Sequence, residues 1–147
     1  EVYQILTRVY HGGYTHANRH ILELIIDDVI TICYDFASSY PYVMLSEKYP
    51  GSKFCYLEKA MSIDKILKSS EKYAYIFKLI LVKPRLKNDF IPMPALQYSK
   101  CVKIVNPVED NGRVLCAAYT EIYLNEIDLA LIEQQYDYDN AVCMDSI

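Results

Sequence analysis

The chain has 147 residues, and 52% of them are hydrophobic, which is enough to form the core of a single domain. Its longest apolar run, ILELIIDDVITICY, is interrupted by Glu23, Asp27 and Asp28, and it falls short of the ~20 residues that span a bilayer. The net charge is −4, and no signal-peptide layout is present, so we expect neither secretion nor a membrane partner. Because the sequence starts at Glu1, we expect a segment of a longer protein.

Charge is distributed unevenly along the chain. Residues 51–105 carry eleven Lys and Arg against four Asp and Glu, whereas residues 106–147 carry one, Arg113, against nine. Such blocks are typical of a solvated surface. The alternative is a basic middle segment that binds nucleic acid or an acidic partner, and composition alone leaves both open.

Five cysteines are scattered along the chain without a C-x-x-C pair, at Cys33, Cys55, Cys101, Cys116 and Cys143. Their odd number and wide spacing predict reduced, intracellular thiols, most of them in the core. A disulfide framework or a zinc ribbon is not indicated.

Four elements are predicted in the first third of the chain. Partial alternation predicts a strand over Val2–Tyr10 that ends at two glycines, and helical spacing follows in THANRHILELI. The β-branched run DVITICYDF (28–36) predicts a strand buried on both faces. A helix over YPYVMLSEKY follows, with Ser38 or Ser39 as its cap and Pro41 in its first turn.

The remainder of the chain predicts an α+β fold with a mixed or antiparallel sheet and short helices. SIDKILKSSEK predicts a helix capped by Ser62, and YAYIFKLILVK and DNAVCMDSI predict strands. CVKIVN and GRVLCAAYTEIYL flank PVEDNG, whose Asn-Gly pair predicts a hairpin. NEIDLALIEQQY predicts a helix capped by Asn125, with Ile127, Leu131 and Ile132 facing inward.

A carboxylate at the end of the strand predicted over residues 28–36 is the first candidate for chemistry. Asp35 precedes a helix start where the Ser38 hydroxyl and nearby amides could bind an anion. A carboxylate beside a helix start can hold Mg²⁺ and a triphosphate together. The alternative is an aspartate that merely caps a turn, and one carboxylate is too few for a two-metal centre.

The segment DFASSYP resembles the first catalytic motif of family B DNA polymerases, D-x-x-S-L-Y-P, with Ser39 in place of the leucine. Upstream, YHGG (10–13) is similar to the Y-x-G-G/A motif of the protein-primed branch of small phages and linear plasmids. FKLILVKPRLKNDFIPMPALQ and AAYTEIYLNEIDLALIEQQYD resemble later segments of that branch, so the resemblance extends over nearly the whole chain.

The resemblance implies a role for each matched residue at the first motif. Asp35, together with the main-chain carbonyl of Phe36, would bind the two catalytic Mg²⁺ ions. Ser38 and the amides of Ser39 and Tyr40 would contact the triphosphate of the incoming dNTP. The Tyr40 ring would lie under the sugar and exclude a 2′-hydroxyl, and the serine at position 39 keeps the amide but changes the local packing.

At the upstream motif, the resemblance implies that Tyr10, Gly12 and Gly13 touch the template strand of the template-primer DNA. Glycines allow the backbone to approach a strand closely, and a tyrosine can stack on a base. The resemblance also divides the chain into a partial palm, residues 1–50, and an inserted α+β subdomain, residues 51–147, which in that branch contacts the terminal protein and the upstream template.

The implied function is that of a fragment of a DNA-directed DNA polymerase, which adds dNTPs to a DNA 3′-end or to a terminal-protein primer in the cytoplasm of a bacterial host. No K-x-x-x-N-S-x-Y-G, Y-x-D-T-D-S or exonuclease motif occurs in the chain, so we expect the fragment alone to be inactive. The alternative is a non-catalytic module that docks DNA or terminal protein, or an unrelated α+β interaction domain.

Three further hypotheses come from the residues themselves. His11, His16 and His20, with Glu23, have some of the spacing of a metal site but no second ligand pair. The basic run KPRLK (83–87) is consistent with a phosphate grip or with a solvated loop. A strand over 28–36 without a partner would promote self-association, unless the strand predicted over Val2–Tyr10 covers it.

Overall fold

The computed structural model describes residues 2–10, 12, 17, 20–21, 25, 27, 29–30, 32–47, 49, 51–56, 60–144 and 147. The helices within this part are α1 (Val2–Val9), α2 (Ser39–Ser46), α3 (Ile63–Ser69) and α4 (Glu126–Gln135), with a 3-10 turn at Tyr98–Lys100. The strands are β1 (Ile76–Val82), β2 (Arg85–Leu86), β3 (Cys101–Val105), β4 (Val108–Asp110), β5 (Arg113–Cys116), β6 (Tyr119–Asn125), β7 (Tyr136–Asp137) and β8 (Asn140–Met144).

The eight strands form two antiparallel sheets that continue into each other. The strand orders are β3-β6-β1-β8 and β4-β5-β2-β7, so each strand of the first sheet is followed or preceded in the chain by its counterpart in the second. The pairing register also continues: Val82 lies opposite Tyr119, and three residues further Arg85 lies opposite Cys116. We call this arrangement the bent sheet. It confirms the predicted α+β class with an antiparallel sheet.

The sheet bends where the strands of the first sheet continue into those of the second. Backbone hydrogen bonds between neighbouring strands hold this bend. The Lys83 amide donates to the Ala118 carbonyl at 3.0 Å, and the Ala118 amide donates to the Val105 carbonyl at 2.9 Å. Lys83 and Asn106 lie at this bend and have positive φ angles of 50° and 49°. Such a conformation is uncommon for a residue with a Cβ, and here it turns the strand without ending its pairing.

The core lies on one face of the bent sheet, under α3 and α4. Burial alternates along β1, and Phe77, Leu79 and Leu81 are fully buried. Antiparallel sheets with one covered face show this period of two. Leu129 and Ile132 of α4 supply the helical side of the core, three residues apart on one face.

One inward residue predicted for α4 is wrong. Ile127 is 67% exposed, whereas Ile132 is buried as predicted and Leu131 packs partly against the core. Ile127 lies two positions before Leu129, which places it on the opposite side of a helix with 3.6 residues per turn. The predicted Asn125 cap is confirmed, since its side chain accepts the Asp128 amide at 2.8 Å.

The other turn and cap signals are confirmed. The Ser62 side chain accepts the Lys65 amide at the start of α3. Asn111 and Gly112, both with positive φ, form the turn of the predicted hairpin. Its arms are longer than the sequence indicates, because Val108–Asp110 forms β4 and the two arms run across the bend as β4–β5 and β3–β6.

Two predicted strands near the N-terminus are wrong. Val2–Val9 is a helix, and its half-buried residues Val2, Ile5 and Val9 have helical spacing. Its apolar side packs near β6, so the partial alternation was misread. In 28–36, the described residues form no strand and are exposed, Ile30 at 86%. β-branched composition gives a strand only where a partner strand is present, and none of the described residues pairs with this segment.

The helix predicted over 15–25 lies largely outside the described residues. Within the part of the chain that the structure describes, no helix is both long and apolar enough to cross a membrane.

The prediction that most of the cysteines lie in the core is confirmed only in part. Cys143 is buried, Cys101 and Cys116 are half-buried, and Cys33 and Cys55 are exposed; all five are free thiols. Burial raises the pKa of the Cys143 thiol to about 12 and that of Cys101 to about 11. Both are therefore neutral at pH 7 and weak nucleophiles, which fits a packing role.

Tyr136 joins the second half of the bent sheet to the loop before β3. Its hydroxyl donates to the Val114 carbonyl at 2.6 Å and accepts the Leu96 amide at 3.4 Å, and the side chain is 1% exposed. We expect Tyr136→Phe to lower the free energy of unfolding by about 1–3 kcal/mol, because two buried backbone groups lose a partner. Urea denaturation measures this, with the exposed Tyr42→Phe as the control, and equal stability of the two variants would contradict it.

Candidate nucleotide and DNA site

The turn before α2 places a carboxylate next to a helix N-terminus. Asp35 is exposed, and its Oδ1 accepts the amide of Phe36 at 2.8 Å. This local bond holds one carboxylate oxygen, Oδ1. The other oxygen, Oδ2, points in a different direction, from which a ligand could bind. The Asp35 side chain is thus oriented by its own backbone rather than by a strand, which corrects the expectation that a rigid buried strand would hold it.

Ser38 makes the sharp change of direction between the turn and the helix. Its φ and ψ angles are 57° and 36°, in the left-handed region, and its carbonyl accepts the Tyr42 amide at 2.9 Å as the first bond of α2. The prediction of a helix that begins here is confirmed, with Pro41 in its first turn. Ser38 is the N-cap residue, as one of the two predicted alternatives has it, but its side chain makes no capping hydrogen bond.

The start of α2 has a particular set of donors. The first amides of a helix have no acceptor within it, and here they belong to Ser39 and Tyr40, while Pro41 has no N–H at all. Together with the positive end of the helix dipole, these two amides can bind one anionic group. The Tyr40 ring is 82% exposed and Phe36 is 85% exposed, so both project from the turn.

The described residues hold no cluster of three or more His, Cys, Asp or Glu side chains suited to a metal ion. Asp35 therefore offers one ligand rather than a complete site. His11, His16 and Glu23 of the histidine hypothesis lie outside the described residues. His20 is described, and its Nε2 lies 2.6 Å from the main-chain oxygen of Asp89.

Tyr10 and Gly12 lie just beyond the C-terminal end of α1. Tyr10 is 75% exposed, and its carbonyl accepts a hydrogen bond from Lys100 Nζ at 2.7 Å. Gly12 has a φ of 70°, a conformation that favours glycine, and a Cβ there would meet no atom within 4 Å. The glycine is thus required by the backbone turn and not by a crowded neighbour. Gly13 lies outside the described residues.

The basic run at 83–87 makes its contacts within the chain. Lys83 Nζ lies 2.9 Å and Arg85 Nη1 3.4 Å from the carboxylate of Asp139, across the strand pair. These cations hold the pKa of Asp139 below its usual range. Lys87 Nζ donates to the Glu133 carbonyl near the C-terminus of α4. The run therefore braces the bend, which a simple solvated loop would not do, and a phosphate grip by its exposed cations stays a prediction.

Sequence reasoning missed a group of cations on the outer face of the bent sheet. Arg8 lies 5.4 Å from the Tyr123 ring centroid, and Lys103 Nζ lies 5.3 Å from that of Tyr119. Lys78 lies opposite Tyr123 in the register. Alternation could have placed Lys78 and Lys103 on the solvent face of their strands. The sequence gives no signal that β1 and β3 flank the same strand, β6.

The first motif and the fold can be compared with known proteins. Residues 1–138 match the sequence model of the family described as DNA polymerase type B, organellar and viral. A DNA polymerase of Bacillus phage B103 is 26% identical over 141 residues, which are 95% of this chain and 22% of that protein. The chain thus spans about a fifth of the length of this relative. No solved structure matches the chain at comparable significance.

The match confirms the resemblance inferred from DFASSYP and YHGG, since both segments lie within the matched residues. The family match covers far more than half of the chain. This chain therefore belongs to the organellar and viral type B DNA polymerases.

Proposed function

We propose that this chain is the part of a DNA-directed DNA polymerase that supplies the first metal-binding carboxylate and the triphosphate contacts of nucleotidyl transfer. The observation that carries the proposal is the turn between Asp35 and Tyr40, where an exposed carboxylate precedes two helix-start amides. Because the turn coincides with D-x-x-S-L-Y-P, the motif and the local geometry support the same chemistry. Mg²⁺ prefers oxygen ligands of this kind.

In this proposal, Asp35 and the main-chain carbonyl of Phe36 hold Mg²⁺, which supplies charge stabilisation at the transferred phosphate. A two-metal centre needs at least a second carboxylate, so the rest of the site would come from elsewhere in a complete polymerase. The carboxylate of Asp35 contributes negative charge beside the metal, and the amide of Phe36 keeps it from rotating away.

The remaining residues of the turn would recognise the incoming nucleotide. The amides of Ser39 and Tyr40 would donate to phosphate oxygens, aided by the helix dipole, and the Ser38 hydroxyl would add a third donor. The exposed ring of Tyr40 would lie against the sugar. A ring there leaves no room for a 2′-hydroxyl, so it would select deoxynucleotides.

The template-primer DNA would meet the chain at Tyr10, Gly12 and Gly13. The exposed ring of Tyr10 and the open backbone at Gly12 support this placement. The inserted subdomain, residues 51–147, would contact the terminal protein and the upstream template. The packing of α1 on β6 supports a tight connection between this subdomain and the partial palm, residues 1–50.

A second function is a docking module without its own chemistry. Three cations, Arg8, Lys78 and Lys103, lie on the outer face of the sheet beside one carboxylate, that of Glu121, and this excess of positive charge would favour a polyanion as partner. The same face would serve a polymerase, so the two functions differ in the role of the turn from Asp35 to Tyr40. Self-association near residues 28–36 stays a prediction. The helix Val2–Val9 packs near β6 rather than forming the strand that would have covered this segment.

Asp35 separates the two functions. We expect Asp35→Asn in the complete polymerase to lower nucleotide incorporation at least about a thousandfold, since the metal contributes several kcal/mol to the transition state. Primer extension with purified enzyme measures this, and the exposed carboxylate variant Asp27→Asn is the control, with activity near that of the parent. Activity retained in Asp35→Asn would refute the metal role, and primer extension by the isolated 147-residue chain would refute the expectation that the rest of the metal centre lies elsewhere.

Tyr40 is tested by sugar selectivity. We expect Tyr40→Val in the complete polymerase to raise ribonucleotide incorporation relative to deoxynucleotide incorporation, because removal of the ring opens space for the 2′-hydroxyl. The measured quantity is the ratio of kcat/KM for the dNTP to that for the matching rNTP. Tyr42→Val, two residues further in α2, is the matched control. An unchanged ratio in Tyr40→Val means that this ring does not select the sugar.

A further inference from the structure

The segment that carries Tyr10 and Gly12 is attached to the bent sheet by two cationic contacts. Lys100 Nζ donates to the Tyr10 carbonyl at 2.7 Å, across 90 residues of sequence. Two residues before Tyr10, the Arg8 guanidinium lies over the Tyr123 ring at 5.4 Å. Because Cys101 pairs with Ile122, Lys100 and Tyr123 belong to neighbouring positions of the β3–β6 pair. Both contacts therefore arise from one place in the sheet.

A third contact attaches the chain on the other side of the glycines. His20 Nε2 lies 2.6 Å from the main-chain oxygen of Asp89, and its ring lies 5.7 Å from that of Phe90. Asp89 and Phe90 belong to the loop after β2, so this anchor is separate from the Lys100 contact. Gly12 therefore lies between two attachments to residues 60–144, and neither involves the turn at Asp35.

The Lys100 contact acts on the end of a helix. The Tyr10 amide donates to the Leu6 carbonyl at 3.0 Å in the last turn of α1, and the Tyr10 carbonyl accepts from Lys100. A cation at a helix C-terminus is favourable, because it neutralises the negative end of the dipole and satisfies a carbonyl without a helical partner. The two bonds fix the peptide planes on both sides of Tyr10, and so set the direction in which the backbone leaves α1.

We infer that Lys100 is a positioning residue for the DNA contact: its ammonium, carried by the 3-10 turn directly before β3, fixes the Tyr10 carbonyl and thereby the orientation in which Tyr10 and Gly12 meet the template strand. The contact between Lys100 and Tyr10 is independent of the proposed function, whereas its effect on DNA binding rests on that function. Lys100 acts through Tyr10 and need not touch DNA. The sheet of the inserted subdomain thus sets the geometry of a motif in the partial palm.

The geometric part is tested by amide hydrogen exchange in the 147-residue chain. In Lys100→Met, we expect the Tyr10 amide to exchange about threefold faster or more, because the end of α1 loses a charged hydrogen bond. Lys103→Met removes the same charge from the same sheet face without a contact to Tyr10 and should leave this rate unchanged. Lys100→Arg should restore protection. The inference is overturned if the Tyr10 amide exchanges at the same rate in Lys100→Met and Lys103→Met. It is also overturned if Lys100→Met changes neither this rate nor the thermal unfolding midpoint.

The functional part is tested by binding of single-stranded oligodeoxynucleotide to the complete polymerase. We expect Lys100→Met to weaken binding about threefold more than Lys103→Met does, with recovery in Lys100→Arg and no further loss when Tyr10→Ala is added to Lys100→Met. Equal losses in the two Met variants mean that only charge matters, which overturns the positioning role. If Tyr10→Ala alone leaves binding unchanged while Lys100→Met still speeds exchange, the geometry stands and the proposed DNA contact fails.

Discussion

The pairing of β1 with both β6 and β8 is the interaction on which the rest of the structure depends. β1 is one of the two inner strands of its sheet and pairs with two strands that lie far along the chain, with Leu79 opposite both Ile122 and Cys143. All three side chains are fully buried, so the pairing and the core form together. α3 and α4 pack on the face that this pairing creates, and α1 packs near the opposite face.

The bent sheet also determines how the basic segment, residues 51–105, and the acidic segment, residues 106–147, are arranged in space. In sequence, the basic residues precede the acidic ones, but β1 of the basic block lies between β6 and β8 of the acidic block. The contacts of Lys83 and Arg85 with Asp139 follow directly from this order. Charges that are segregated along the chain are therefore interleaved in space.

Local signals were sufficient for elements whose stability is local or whose partners lie in the described chain. The Ser62 and Asn125 caps, the Asn111–Gly112 turn and the strand composition of YAYIFKLILVK all predicted what the structure has. The segment 28–36 failed, because a strand needs a partner that composition cannot name. Val2–Val9 failed because a short apolar run fits both a period of two and a period of 3.6, and only packing near β6 decides between them. The bond from Lys100 to Tyr10 spans 90 residues, and no local pattern predicts it.

The candidate site was predicted more completely in its residue types than in its geometry. DFASSYP placed the carboxylate and the helix start correctly, but Asp35 follows an irregular segment and Ser38 takes a left-handed conformation instead of capping with its side chain. The central claim is that Asp35 is a metal ligand. Crystals of the complete polymerase with template-primer, an incoming nucleotide and Mn²⁺ test it by anomalous scattering. We expect a Mn²⁺ peak within about 2.2 Å of an Asp35 carboxylate oxygen; a metal bound at the triphosphate without Asp35 would contradict the account.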